Sequence, residues 1–258
     1  MLAETKAAIA AAKKAGKIIM ASFGKKQETR QKSSPFDLVT KTDVAAEKEI
    51  ISMLSKNFPN YGFLAEESGK THEQGDFTWI IDPLDGTHNF ISGIPYFCTA
   101  IALAKGDEVV CGVVFDPTRK ELFYAEKGKG AFLNGRKILV SDKSDLRDFM
   151  CITSVRAGLE GEPPAKRQER FLNFYPNVRA MRMLGASELD LCYLAAGRLE
   201  VFVNFNMFPW DGAAGALLVQ EAGGTATDEK GLPWKFMGKS LIATNGKRHR
   251  EVLGILGL

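Results

Sequence analysis

The order of segments along the chain predicts a layered α+β and α/β sandwich, with N-terminal helices over an antiparallel sheet, then a C-terminal α/β half, in an αβαβα stack. Three observations predict it. An Ala- and Lys-rich amphipathic stretch opens the chain, and short apolar runs separated by tight turns fill the middle. From about residue 145, strand-like and helix-like segments alternate.

Each element has its own signal. Residues 2–23 set Ile9, Ile18, Ile19 and Phe23 among alanines and lysines, predicting a helix stopped by Gly24. Residues 24–35 are polar and basic and predict a loop. Thr42 and Asp43 open a second helix with Glu47 and Glu49 in its early turns, a face of Val44, Ile50, Ile51, Leu54 and Phe58, and a stop at Pro59-Asn60. Strands follow at 61–65, 77–81, 99–104, 109–115, 121–125 and 131–139, joined by short turns that imply a largely antiparallel meander; Asn134-Gly135 is a tight-turn signal. Beyond 145, strands at 150–153, 178–181, 201–205, 225–227 and 241–243 alternate with helices near 165–175, 187–196, 211–222 and 246–256. There are no repeats and no linker, so residues 1–144 and 145–258 are read as two halves of one compact unit with a cleft between them.

Composition narrows the function classes. The 258 residues are 45% hydrophobic and 25% charged, enough to bury a large core. A net charge of +3 argues for no polyanionic partner, and Lys247-Arg248-His249-Arg250 reads as a solvated helix start, not a nucleic-acid footprint. Cys98, Cys111, Cys151 and Cys192 lie far apart in apolar runs without zinc spacing, and read as buried reduced thiols. The apolar run Ala7–Ala12 is too short for a signal peptide and no stretch approaches a membrane span, so a cytoplasmic protein is expected.

The chemistry concentrates at Trp79-Ile-Ile-Asp82-Pro-Leu-Asp85-Gly86-Thr87-His88-Asn89-Phe90. An apolar strand runs into two acids with Pro83 between them, and Gly86 then lets backbone N–H groups turn toward an anion. Such a strand end suits a cation and a phosphate together; the rival reading is an Asp-Pro turn with a capping acid. Three further acidic segments tip the balance. Ala65-Glu66-Glu67-Ser68 closes a strand, Asp37–Asp43 opens a helix, and Pro209-Trp210-Asp211-Gly-Ala-Ala-Gly leads into a small-residue helix that Asp211 could simply cap. With carboxylates and no His or Cys cluster, the donor set favours a hard divalent cation, magnesium first.

Together DLVTKTD, AEES, WIIDPLDGTHNF, GAFLNGRK and WDGAAGALLVQEAGG resemble, in order and spacing through nearly the whole chain, the inositol monophosphatase family of magnesium-dependent, lithium-sensitive phosphatases. The resemblance implies a homodimer binding two to three Mg2+ ions and hydrolysing a small sugar or polyol phosphate. Glu66, Asp82, Asp85, Asp211 and the Leu84 carbonyl then match metal ligands, Glu66 serving in catalysis as well. Asp43 and Thr87 match the pair that activates water, and Asp85, Gly86 and Thr87 border the phosphate. Glu67 stands behind the ligands. Gly185, Ala186 and Ser187 match the substrate-recognising segment. Asn204 stands where inositol-preferring members often carry Glu, which puts inositol specificity in question. The implied halves divide the work, residues 1–144 holding most metal ligands and 145–258 supplying Asp211 and substrate contacts. Inositol 1-phosphate, fructose 1,6-bisphosphate, a nucleotide 3′-phosphate and histidinol phosphate stay open as substrates, and so does a regulatory binding protein on the same scaffold.

Overall fold

The computed structural model describes residues 1–31, 38–71, 75–153 and 164–258. Helix α1, Ala3–Ser22, buries a stripe of Ala8, Ala11, Ala12, Ala15, Gly16 and Ile19. Where the sequence predicts only a loop, Thr29–Gln31 forms a strand, β1, paired antiparallel with β2, Leu38–Thr40. A two-stranded ribbon of this kind advertises no alternation of apolar residues, because it has no core face of its own. Asp37 and His72 lie outside the described residues. Helix α2, Lys41–Asn57, begins one position before Thr42, and Thr40 caps it.

The first sheet collects β3 (Gly62–Ala65), β4 (Gly69–Thr71), β5 (Phe77–Asp85), then, after the short helix α3 (Thr87–Ile91), β6 (Cys98–Lys105), β7 (Glu108–Asp116), β8 (Glu121–Glu126), β9 (Gly130–Leu133) and β10 (Arg136–Ile138). Its order is β10-β9-β8-β7-β6-β5-β3-β4, antiparallel throughout except for the parallel β3–β5 pair. The single strand expected over 131–139 is a hairpin: Asn134 and Gly135 both take positive φ, 49° and 82°, and fold β10 back on β9.

The second sheet uses β11 (Met150–Thr153), β12 (Ala180–Arg182), β13 (Val201–Asn204), β14 (Thr225–Thr227) and β15 (Leu241–Thr244) in the order β12-β11-β13-β15-β14. Four helices punctuate it: α4 (Pro164–Phe174), α5 (Ser187–Ala195), α6 (Ala213–Glu221) and α7 (His249–Ile255). Its first three strands are parallel and β15 and β14 antiparallel, a mixed sheet.

The layers follow from which faces are apolar. One core seats α1 and α2 on the first sheet through Ile19, Ile50, Leu54, Trp79, Ile81 and Ile101. A second fills the space between the sheets, where α5 and α6 bring Leu189, Leu194 and Leu218 against Val114, Phe123 and Phe202. A third joins α4 and α7 to the outer face of the second sheet through Phe174, Val203, Ile242 and Val252. This is the αβαβα stack. No helix among the described residues is long and apolar enough to cross a membrane. All four cysteines are buried free thiols. The basic segment at α7 is solvated only in part: both His249 ring nitrogens bond threonine hydroxyls, Nε2 to Thr227 at 2.8 Å and Nδ1 to Thr244 at 2.9 Å.

The middle layer sits close to the first sheet because Gly112 of β7 has no side chain. A Cβ there would lie 2.9 Å from the Ala214 carbonyl oxygen and 3.0 Å from its Cα. Gly112→Ala should therefore cost about 1–3 kcal/mol through forced backbone displacement and lower Tm by roughly 2–12 °C at ~2–4 °C per kcal/mol. Thermal denaturation followed by circular dichroism checks it, and an unchanged Tm would mean that α6 yields freely.

Candidate active site

The site grows from the end of β5. Pro83 has no N–H for the ladder, and the pairing slips there: Asp82 faces Ala100 and Asp85 faces Cys98, so β5 holds one more residue than β6 over this stretch. In a regular strand residues three apart point to opposite faces. The extra residue returns Asp85 to the side of Asp82, both of them buried. Thr99 Oγ1 donates to the Pro83 carbonyl at 2.9 Å and the Leu84 N–H donates to Asp82 Oδ1 at 3.0 Å, which fixes the bulge. Gly86 follows with φ 95°, and a Cβ there would meet the Tyr96 carbonyl oxygen at 3.0 Å. Only glycine serves both demands. The chain then enters α3, whose first N–H groups have no partner within so short a helix.

Asp43 resolves a rivalry left by its position. Its Oδ2 accepts the Thr40 N–H at 2.9 Å and the Thr40 hydroxyl, closing a capping box at the start of α2. Its Oδ1 instead accepts Thr87 Oγ1 at 3.1 Å. One oxygen caps the helix and the other reaches the site. Thr87 Oγ1 also lies 3.0 Å from the Leu84 carbonyl, so its single proton has two acceptors.

The other acids arrive on separate elements. Glu66, half-buried, directly follows β3 beside β5, and its N–H donates to the Ile81 carbonyl at 3.1 Å. Glu67 gives its N–H to Glu47 Oε2 of α2 at 2.8 Å, which holds the strand end in place. Asp211 does not cap α6, as its position before that helix suggested. It closes the 3-10 turn Pro209–Asp211, with Oδ2 accepting the Phe208 N–H at 2.9 Å, and Gly212 occupies the N-cap.

Charge shows how closely these groups gather. Burial pushes the Asp82 carboxyl well above the ordinary range, and the charges of Glu66, Asp85 and Asp211 push it further. Burial likewise raises Asp43 against the lowering pull of its Thr40 bonds. Among the described residues no three His, Cys, Asp or Glu side chains are gathered closely enough to hold a metal ion, and Asp82, Asp85 and Asp211 each have an oxygen accepting an amide N–H. The donor set is nonetheless all hard oxygen, and mutual repulsion among converging carboxylates is what a hard divalent cation relieves. The residues fit magnesium.

The start of α5 forms the opposite wall. Ser187 and Glu188 donate their N–H groups to Asp85 Oδ1 and Oδ2 at 3.1 and 2.7 Å. Asn204, at the end of β13, points Nδ2 at Ser187 Oγ across 3.5 Å and accepts the Asn206 N–H on Oδ1. Gly185 (φ 81°) makes the turn into this segment, and Ala186 is its buried N-cap. Asn89 Nδ2 binds the turn to α3 by donating to the Leu184 and Tyr96 carbonyls at 2.7 and 2.8 Å. The structure thus sets Glu66, Asp85 and Asp211 within electrostatic reach of Asp82 and joins Thr87 to Asp43 at the end of β5, with Ser187 bonded to Asp85 and Asn204 to Ser187.

A family model described as the inositol monophosphatase family matches residues 2–255. The chain belongs to the inositol monophosphatase family. A Caulobacter vibrioides protein named inositol-1-monophosphatase is 40% identical over 95% of this chain and 97% of its own. One from Thermotoga maritima, named fructose-1,6-bisphosphatase/inositol-1-monophosphatase, is 36% identical over 95% of this chain and 92% of its own. The crystal structure of the extragenic suppressor protein suhB from Bartonella henselae superposes with a TM-score of 0.92 at 38% identity, covering 97% of each chain. The chain is thus a phosphoric monoester hydrolase of the inositol monophosphatase family, which is in general metal-dependent.

Sequence reasoning missed Glu47, Tyr96, Glu188 and Asp190. Tyr96 donates its hydroxyl to Asp190 Oδ1 at 2.7 Å, and burial raises the carboxyls of both Glu188 and Asp190. A signal existed for the last two. The α5 sequence SELDLCYLA sets leucines around its circumference, and a helix apolar on every side is buried, so its acids must be buried too.

Proposed function

We propose that the chain is a magnesium-dependent phosphomonoesterase that hydrolyses a small sugar or polyol phosphate by direct attack of an activated water. The convergence of Glu66, Asp82, Asp85 and Asp211 on the end of β5, beside the 3.1 Å contact of Thr87 with Asp43, supports this reading most. The four carboxylates and the Leu84 carbonyl would hold the metal, Glu67 standing behind them. When bound, two to three Mg2+ ions would supply charge neutralisation at the phosphoryl oxygens and lower the pKa of water.

The chain's own groups do the rest. Thr87 Oγ1 donates to Asp43 Oδ1, which leaves its lone pairs to accept a proton from the attacking water. That proton passes to Thr87 as the hydroxyl's own moves to Asp43, while the water oxygen bonds to phosphorus and the ester P–O bond breaks, its electron pair passing to the sugar oxygen, which takes a proton from solvent water to leave as the alcohol. A raised Asp43 pKa suits a group that must hold the proton briefly. The Gly86 and Thr87 N–H groups face the phosphoryl oxygens at the turn into α3. Gly185, Ala186, Ser187 and Asn204 border the sugar.

Asn204 offers an amide where a carboxylate would accept a hydroxyl proton with charge assistance. Losing that assistance forfeits roughly 1 kcal/mol of preference, so inositol should not be strongly favoured. Phosphate release from inositol 1-phosphate, fructose 1,6-bisphosphate, adenosine 3′,5′-bisphosphate and histidinol phosphate, with Mg2+ and with excess chelator, tests both points. The first two should be hydrolysed with kcat/KM values within about tenfold of each other, and chelator should abolish both. Release that survives chelation, or no release from any of the four, would count against the proposal. The homodimer belongs to the same proposal, and sedimentation should give about twice the 28.3 kDa chain mass.

A further inference from the structure

Glu188 is 1% exposed, and every polar group it carries in the site region is engaged across the fold. Its N–H donates to Asp85 Oδ2 at 2.7 Å. Its carboxylate reaches the other way, Oε1 accepting the Ala214 N–H at 3.0 Å and Oε2 the Gly215 N–H at 2.5 Å. Those amides belong to the first turn of α6, whose N-cap Gly212 makes no side-chain cap bond. A carboxylate from α5 therefore performs the capping that α6 lacks, with charge-assisted bonds at the positive end of the helix. The approach is tight by design of the sequence: a Cβ on Gly215 would lie 2.7 Å from Glu188 Oε2 and 2.5 Å from Leu191 Cβ.

The consequence is geometric. Asp85 ends β5, and Asp211 closes the 3-10 turn that runs directly into α6. Glu188 grips the first through its backbone and the segment after the second through its side chain. We propose that Glu188 is a positioning residue that sets the separation of Asp85 and Asp211, and so the affinity of the site for Mg2+. This rests on the reading of those two acids as metal ligands. An ordinary N-cap at position 212 could satisfy the same amides locally, but it would not tie α6 to Asp85, and a Cβ at Gly212 would meet Met207 Cε at 2.6 Å.

Glu188→Gln keeps the shape while turning an NH2 group toward an amide donor. Isothermal titration of the chelator-treated protein with MgCl2 should show Mg2+ affinity reduced about tenfold or more, the range seen when groups that orient metal ligands are removed. The Mg2+ concentration for half-maximal phosphate release should rise by the same factor, with KM at saturating Mg2+ unchanged. Glu188→Asp, which keeps the charge but loses reach, should fall between, and it carries the test if Glu188→Gln does not fold. A variant that loses Tm but binds Mg2+ like the wild type would overturn the proposal and leave Glu188 a structural cap. If the wild type itself shows no Mg2+ binding, or Asp211→Asn binds as tightly as the wild type, then the assignment of the ligands has failed instead.

Discussion

Asp211→Asn should yield a folded protein that has lost about a thousandfold in magnesium-dependent turnover, the loss of several kcal/mol of charge stabilisation at ~1.4 kcal/mol per decade. The fold should survive because the local role of Asp211 is modest: one oxygen accepts the Phe208 N–H at 2.9 Å, and an amide oxygen can do the same. The lost charge is what a cation would register. Steady-state phosphate release with circular dichroism in parallel decides it, and turnover within tenfold of wild type would remove Asp211 from the ligands. Asp85→Asn should abolish turnover as completely, yet the structure separates the two. Both Asp85 oxygens accept N–H groups, from Ser187 and Glu188, and an Asn would set its NH2 against one of these donors. That substitution should also cost about 1–3 kcal/mol of stability through the unpaired amide. The sequence places both acids at element ends but carries no sign of the two amides that hold Asp85.

Thr87→Ala should lower kcat by about a hundredfold or more, the usual scale for a lost proton-transfer partner, and leave KM within a few-fold. Thr87 stands 3.1 Å from Asp43 Oδ1, and Asp43 is held by a capping box independent of Thr87. Removing the hydroxyl thus deletes the relay without releasing the base. Thr87→Ser should restore most of the rate, since it keeps Oγ and drops only a methyl group. A Thr87→Ala enzyme with unchanged kcat would refute the relay; equal losses in Thr87→Ala and Thr87→Ser would point to packing instead.

Much of this molecule is legible in one dimension. The strand positions follow from apolar runs between tight turns, and the helices from their periodicity and stops. The acids at 43, 66, 82, 85 and 211 stand out because each sits at the end of an element. Those features are local, set by backbone preference and the burial of neighbouring side chains, so the sequence by itself determined the order of the main helices and strands, the αβαβα layering and the chemical type of the candidate donors, while β1, β2, β4, α3 and the split of β9 from β10 went unread. The tertiary structure alone decided how the donors meet. The bulge at Pro83 puts Asp82 and Asp85 on one side, Asp43 divides its oxygens between a helix cap and Thr87, and Glu188 joins Asp85 to α6 across more than a hundred residues of chain. The contacts of Asp85 with α5 and of Glu188 with α6 join groups distant in sequence through backbone amides, and every residue but proline carries an amide N–H. Such a bond leaves no mark in residue type, and only the packing of the layers reveals which amide a carboxylate will find.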